Sequence, residues 1–198
     1  MHKEFNKDVV IFLIEDDYSQ RESIQSFLGF KGYDIQSFKS AEEFLGLPQI
    51  PRPSILITDM RLPHSSGVEL HKQLTKLGLD IPIIFISGES SIQQSIDAMK
   101  QGAIDFLVKP FDTKDLTNAV EKAIYIELKK VNLMALLKHL SPRENQVYGL
   151  LIQGLSNNEL MEKINISLPT VKQYKSEVMR KLGAKSLSEL MTLSNQTV

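Results

Sequence analysis

Short apolar runs alternate with amphipathic stretches over the first two thirds of the chain. Four runs are rich in branched or aromatic side chains, and a fifth is weaker: Val9–Ile14, Ile55–Thr58, Ile83–Ile86, Asp105–Val108 and, more weakly, Asp34–Phe38. Runs that are apolar throughout, instead of alternating, are typical of parallel strands that are covered on both faces. The pattern therefore predicts a parallel five-stranded sheet.

Between these runs, apolar residues recur every three or four positions, which is the period of a helix. The predicted helices are Ser19–Lys31, Val68–Leu77, one marked by Ile92, Ile96 and Met99, and a long one marked by apolar residues from Leu116 to Val131. Repeated alternation of strand and helix predicts a doubly wound α/β fold.

From about Leu140 onward the pattern predicts helices only. Four helix starts have a serine with glutamate, or in one case threonine, three residues later, at Ser141, Ser156, Ser167 and Ser186. A serine cap and a glutamate in the first turn together satisfy N–H groups at the start of a helix. We expect residues 1–124 to form the α/β domain, 125–139 a helical linker, and 140–198 a small all-α domain.

Charge divides in the same way as the pattern. Residues 1–137 contain 15 basic and 19 acidic residues, whereas residues 138–198 contain 8 and 5. A mildly basic helical domain suggests a polyanionic partner. The absence of cysteine in the sequence excludes thiolate catalysis and cysteine-ligated metal sites.

No apolar run of the sequence is long enough for a membrane span. Val9–Ile14 is the longest, and a span needs about 20 residues. A polar tail of mixed charge precedes it and acidic residues follow it, which is not the pattern of a signal peptide. We therefore expect a cytoplasmic protein without a membrane partner.

Polar residues follow the predicted strands where each one ends, and they are Glu15, Asp16, Asp17, Asp59, Ser87 and Lys109. Because ligands bind beyond the carboxyl ends of strands in such sheets, we expect these side chains to share one rim. Clustered carboxylates suit Mg²⁺, and a carboxylate can act as a nucleophile toward phosphorus. Each residue alone is equally explained as a cap, a turn or a solvated loop.

The stretch 8–130 resembles the receiver domain of two-component response regulators. The motifs that carry the resemblance are Ile14–Asp17, Thr58–Pro63 with Ser66-Gly67, Ile86–Gly88 and Gly102–Phe111. The resemblance implies that a sensor histidine kinase phosphorylates Asp59. It also implies an Mg²⁺ ion bound directly by Asp16, by Asp59 and by the Arg61 carbonyl, with Glu15 acting through water.

The same resemblance implies roles for three further residues. Lys109 would pair with the phosphate, Ser87 matches the switch hydroxyl, and Phe106 matches the switch aromatic. Phe106 is equally a core residue of a buried strand, so the two interpretations differ only in whether the ring moves.

Residues 156–164 and 168–182 suggest a helix-turn-helix. The second helix carries Lys172, Lys175, Arg180 and Lys181 opposite an apolar side. The stretch 140–194 resembles the DNA-binding domain of LuxR/NarL/FixJ-type regulators, through Leu140–Glu144, Gly154–Leu160, Thr170–Lys172, Val178–Ala184 and Lys185–Leu190.

Helical geometry assigns possible contacts with double-stranded DNA. Lys172, Gln173 and Ser176 share one side of the helix, where Lys can contact guanine and Gln adenine. We expect phosphate contacts from Thr170, Lys175, Arg180 and Lys181. The alternative is a solvated charged face. Tyr174 is spaced with Val171 and Val178, which favours a core position.

These features predict a transcription factor switched by phosphorylation, which forms a homodimer when phosphorylated and binds two DNA half-sites. The protein would accept an aspartyl phosphate and hydrolyse it itself, without turning over a small substrate. A phosphohydrolase generally needs a second carboxylate two residues after its nucleophile, where this chain has Arg61. The remaining alternative is a regulator that binds DNA without phosphorylation and is controlled by a protein partner.

Overall fold

The computed structural model of the chain describes residues 8–88, 96, 99–100 and 102–195. The chain divides into two compact units, Met1–Leu128 and Lys129–Val198. Within the described residues, all strands belong to the first unit and the second unit is helical.

Five parallel strands form the central sheet of the first unit. They are β1 (Val10–Ile14), β2 (Asp34–Phe38), β3 (Ser54–Asp59), β6 (Ile83–Ser87) and β7 (Asp105–Val108). Their spatial order is β2-β1-β3-β6-β7, and every neighbouring pair is parallel. The order runs outward from β1 in both directions, as in doubly wound sheets. The fold class predicted from the apolar runs is confirmed.

A small antiparallel pair lies just after β3, where the apolar pattern predicts no strand. It consists of β4 (Arg61–Leu62) and β5 (Ser65–Ser66). His64 in the turn between them has a φ of 65°. Two-residue strands are too short to show a periodic pattern, and Ser66 is already the N-cap of the next helix.

Helices cover both faces of the sheet. They are α1 (Tyr18–Phe30), α2 (Ala41–Leu45), α3 (Gly67–Lys76) and α4 (Thr113–Leu137). Apolar residues of α1 and α4 pack on one face, and those of α2 and α3 pack on the other. Coverage on both faces explains why the central strands β1, β3 and β6 are almost entirely buried and mostly apolar, whereas the edge strand β2 alternates.

Some predicted apolar stripes extend further than the buried surface. Leu77 is the C-cap of α3 and is exposed, because the helix ends at Lys76. Ile92 lies outside the described residues, and Ile96 and Met99 are exposed.

After α4, the described residues of the second unit form four short helices, as predicted. They are α5 (Pro142–Ile152), α6 (Asn157–Ile164), α7 (Leu168–Leu182) and α8 (Leu187–Asn195). Ser141 and Ser156 form the predicted capping boxes with the glutamates three residues later. Ser167 precedes α7 without a side-chain cap, because its hydroxyl pairs with that of Thr170 at 2.8 Å. Of the helices described, none has the length and apolarity to cross a membrane.

Candidate functional site

Four strands of the sheet end at one edge, and each brings a polar side chain there. Asp59 and Ser87 are the last residues of β3 and β6, while Glu15 and Lys109 directly follow β1 and β7. The parallel register of the strands keeps these positions level with one another. The structure thus brings Glu15, Asp59 and Lys109 into contact, as the strand ends predict.

One ammonium group links two buried carboxylates at this edge. Lys109 Nζ lies 2.5 Å from Asp59 Oδ2 and 2.7 Å from Glu15 Oε2. Glu15 is 1% exposed and Asp59 is 7% exposed. Two buried carboxylates this close disfavour each other's charge unless a cation lies between them. Lys109 supplies that cation.

The pKa values of Glu15 and Lys109 reflect this arrangement. Burial raises the pKa of Glu15 above its usual value, although the hydrogen bond and charge of Lys109 oppose the rise. Burial acts to lower the pKa of Lys109, but its hydrogen bonds to Asp59 and Glu15 and their charges outweigh burial, and the pKa is raised. Lys109 therefore stays charged at neutral pH.

Both oxygens of Asp59 accept hydrogen bonds. Oδ1 accepts from the Arg61 N–H at 2.7 Å, and Oδ2 accepts from Lys109. Arg61 itself is exposed and begins β4, so its backbone reaches the acidic edge while its side chain lies at the surface. These contacts orient the carboxylate before any ligand binds.

The structure joins two of the three predicted metal-binding carboxylates. Asp16 is exposed, and the described part of the chain contains no group of three or more His, Asp or Glu side chains arranged around a metal. Glu15 and Asp59 already share a cation, however, and an all-oxygen donor set suits Mg²⁺. The residues therefore fit a hard divalent ion that competes with Lys109 for the same oxygens.

The two predicted switch residues lie on neighbouring strands. Ser87 is buried, and its carbonyl accepts from the Lys109 N–H at 2.7 Å, which ties the ends of β6 and β7 together. Phe106 is half-buried and packs against the core cluster beneath α2 and α3.

In the second unit, α6 and α7 form a helix-turn-helix. The turn between them contains Asn165, whose φ of 50° lies in the left-handed region. The buried side of α7 contains Val171, Val178 and Leu182, and Tyr174 packs against the same core. The predicted core position of Tyr174 is confirmed.

The opposite side of α7 is polar. Lys172, Gln173 and Ser176 are exposed, and Thr170 and Lys175 are half-buried. A side of this kind, on the second helix of the pair, is the one that enters the major groove in helix-turn-helix proteins.

Two cations of α7 are engaged within the domain. Lys181 Nζ lies 2.6 Å from Glu144 Oε2 and 3.3 Å from the His139 carbonyl. Arg180 pairs with Glu177 at 2.7 Å. A phosphate would have to displace these partners. Lys181 also holds the pKa of Glu144 below its usual value, with help from the Ser141 N–H.

Both units match known families. Residues 11–121 match the response regulator receiver domain, and residues 138–194 match the LuxR family of bacterial regulatory proteins. The chain belongs to the response regulator family. It joins a receiver domain to a LuxR-type DNA-binding domain, the combination of a transcription regulator. Receiver domains in general bind Mg²⁺ at the phosphorylation site.

Individual relatives are similar over nearly the whole chain. Nodulation protein W of Bradyrhizobium diazoefficiens is 37% identical over 200 residues, which cover 98% of this chain and 88% of that protein. Transcriptional regulatory protein FixJ of Rhizobium meliloti is 34% identical, covering 94% and 95%. Response regulator StyR has a solved structure with a TM-score of 0.59 and 34% identity, covering 96% and 99%. Full-length FixJ from B. japonicum has a TM-score of 0.54 and 34% identity, covering 96% and 98%.

Three polar contacts of the structure were not predicted from the sequence. Arg21 binds backbone carbonyls beside the acidic edge, Glu144 holds Lys181, and Arg52 pairs with the buried Glu127 at 2.5 Å. Only Arg21 has a local signal, since it lies four residues after the helix cap Asp17. The other pairs join residues far apart in sequence.

Proposed function

We propose that Asp59 accepts a phosphoryl group from the histidine of a sensor kinase, and that this event switches DNA binding by the C-terminal domain. The supporting observation is the buried cluster in which Lys109 contacts both Asp59 and Glu15. A carboxylate nucleophile beside a fixed cation is suited to phosphoryl transfer. With a sensor kinase and DNA as its partners, the protein would act in the cytoplasm.

The transfer uses Asp59 as the nucleophile. One of its oxygens bonds to phosphorus while the bond from phosphorus to the histidine nitrogen breaks, and the imidazole leaves with the electron pair. Lys109 then pairs with the phosphoryl oxygens instead of with the carboxylate. Attack of water on the same phosphorus releases inorganic phosphate and restores Asp59.

Magnesium would be held by Glu15, Asp16, Asp59 and the Arg61 carbonyl. When bound, it neutralises charge on the phosphoryl oxygens and on the carboxylates. The buried carboxylate of Glu15 already binds one cation, since its Oε2 lies 2.7 Å from the Lys109 ammonium.

Ser87 and Phe106 would carry the signal out of the site. Ser87 ends the strand next to Asp59, and Phe106 lies on the adjacent strand β7. Movement of Ser87 toward a phosphoryl group would let the Phe106 ring pack inward. The phosphoryl group favours the active state only by binding it better than the inactive one.

DNA recognition would come from the exposed side of α7. Lys172, Gln173 and Ser176 are proposed to contact base edges, and Thr170 and Lys175 to contact phosphates. Arg180 and Lys181 are also proposed to contact phosphates. Each would first have to break its ion pair, with Glu177 and Glu144 respectively. Dimerisation of the phosphorylated protein would place two such helices about one helical turn of DNA apart.

The test compares mass in solution and DNA affinity with and without acetyl phosphate. The DNA is a duplex selected from a random library by the treated protein. Treated protein is expected to sediment as a dimer of the 22.4 kDa chain and to bind the duplex at least tenfold more tightly. Asp59→Asn should show neither change, while Asp17→Asn, which preserves the helix cap, should behave like wild type. Full DNA affinity in untreated protein would instead support control by a protein partner.

A further inference from the structure

Arg21 lies one turn into α1 and reaches back to the segment that carries the acidic pair. Its Nη1 donates to the Glu15 carbonyl at 2.6 Å and to the Asp16 carbonyl at 3.2 Å. The guanidinium also lies 5.5 Å from the centre of the Tyr18 ring, which covers it on one side. Arg21 is half-buried by these contacts.

The two carbonyls precede the helix, so the helix itself cannot bind them. Asp17 is the N-cap of α1, and its carbonyl accepts the first helical bond, from the Arg21 N–H at 2.9 Å. The carbonyls of Glu15 and Asp16 lie outside that ladder. Arg21 supplies a charged donor to both, and charge-assisted hydrogen bonds are stronger than neutral ones.

These bonds hold the backbone from which the two acidic side chains project. The Glu15 N–H donates to the Phe38 carbonyl at 3.1 Å, and its carbonyl binds Arg21, so the backbone of Glu15 is held from both sides. Rotation of the peptide planes before and after Asp16 would redirect its side chain. Arg21 limits both rotations, because it binds the Glu15 carbonyl of the first plane and the Asp16 carbonyl of the second.

We infer that Arg21 is a positioning residue for the acidic pair, and that it raises the affinity of the site for a divalent cation although it is itself positively charged. The inference rests on the proposed function, because it takes Glu15 and Asp16 as metal-binding residues. It predicts the opposite sign to simple electrostatics: removing a nearby positive charge would otherwise strengthen cation binding.

The test measures metal binding directly on the full, unphosphorylated protein. Mn²⁺ is titrated and the unbound ion is read by electron paramagnetic resonance, with Mg²⁺ as competitor. We expect Arg21→Gln to raise the Mn²⁺ dissociation constant by on the order of tenfold, the usual effect of losing a group that orients a metal ligand. Arg21→Lys keeps a charged donor and is expected to restore most of the affinity.

Lys31→Gln is the matched control. Lys31 lies just after α1 and is also stacked on an aromatic ring, that of Phe27 at 5.7 Å. The Lys31→Gln variant removes one positive charge at the other end of the same helix, and it should leave the Mn²⁺ dissociation constant unchanged. Thermal unfolding of each variant is measured alongside, since a purely structural role would lower stability without moving the metal affinity.

Three results would overturn the inference. Equal or tighter Mn²⁺ binding by Arg21→Gln would show that Arg21 does not position the acidic pair. An equal loss in Lys31→Gln would mean that the effect does not come from the contacts of Arg21 with the Glu15 and Asp16 carbonyls. A wild-type protein that binds no Mn²⁺ would remove the metal from the site altogether. Because no phosphoryl donor is present, the first two results leave the phosphorylation of Asp59 untouched.

Discussion

Lys109 lies between two buried carboxylates that are 50 and 94 residues away in sequence. The ammonium offsets their mutual repulsion, and in the proposed function it would pair with the phosphoryl oxygens on Asp59. At the residue scale, stability and proposed function therefore depend on the same charge. The raised pKa of Lys109 keeps that charge in place across the physiological range.

Lys109→Met is expected to lower the free energy of unfolding of the receiver domain by about 3 kcal/mol in metal-free buffer, because it leaves two buried carboxylates without a counter-charge. Mg²⁺ should raise the unfolding temperature of this variant more than that of wild type, since Lys109 no longer competes for Glu15 and Asp59. Calorimetry with and without Mg²⁺ measures both effects.

The exposed Lys114 provides a control. Lys114→Met should change neither the stability nor the response to Mg²⁺.

The stability that Lys109 contributes should also depend on pH, because its pKa is raised in the folded state. This contribution is complete below about pH 10.4, the pKa of an unperturbed lysine, and it is lost as the pH rises through the higher pKa of the folded state. The difference between wild type and Lys109→Met should therefore shrink above about pH 10.5. A constant difference, or equal Mg²⁺ effects, would contradict this account of the site.

At the element scale, α3 begins directly against the strand that carries Asp59. A Cβ on Gly67 would lie 2.6 Å from the Asp59 carbonyl oxygen and 3.0 Å from the Phe85 ring. The Gly67 N–H also donates to the Met60 carbonyl at 3.1 Å. The first turn of the helix can approach this closely only because residue 67 lacks a side chain.

Gly67→Ala is expected to lower the free energy of unfolding by about 2 kcal/mol, the usual cost of overpacking a core, and to slow phosphorylation by shifting Asp59. Chemical denaturation and the rate of labelling by acetyl phosphate measure the two effects. Gly29→Ala is the matched control, since a Cβ there meets nothing within 4 Å inside α1. It should stabilise by up to about 1 kcal/mol. The same behaviour in both variants would rule out the close approach as the cause.

Two lysines of α7 are expected to have different roles. Lys175 lies half-buried on the side proposed to face DNA, whereas Lys181 is bound to Glu144 and to the His139 carbonyl. Glu144 in turn caps α5 through its bond to the Ser141 N–H, at 2.6 Å. The Lys181 contact therefore links the end of α7 to the start of α5.

Lys175→Gln should reduce the slope of log affinity against log salt by about 1, because one phosphate contact is lost. Lys181→Gln should leave that slope unchanged and instead lower the stability of the DNA-binding domain by about 1 kcal/mol. Fluorescence anisotropy over a salt series and denaturation curves distinguish the two. A reduced slope in Lys181→Gln would show that this lysine leaves Glu144 to contact DNA.

At the scale of the whole molecule, periodicity was sufficient to predict the fold class and the five strands of the parallel sheet. Continuous apolar runs indicated strands covered on both faces, and the topology then brought the polar residues at their ends to one edge. The sequence pattern could not predict contacts between residues distant in sequence, such as Lys181 with Glu144 or Arg52 with Glu127, because these contacts depend on tertiary packing. The exposure of Asp16, beside the buried Glu15, likewise follows from the turn into α1 and not from the pattern.

The central claim, that Asp59 is the phosphoacceptor, is tested most directly by intact mass spectrometry. The full chain is incubated with acetyl phosphate and Mg²⁺, together with Asp59→Asn and, as a control that keeps the cap of α1, Asp17→Asn. One phosphoryl adduct is predicted on wild type and on Asp17→Asn, and none on Asp59→Asn. An adduct that persists in Asp59→Asn would contradict the account, as would a wild-type chain that takes up no phosphoryl group from acetyl phosphate or from a kinase.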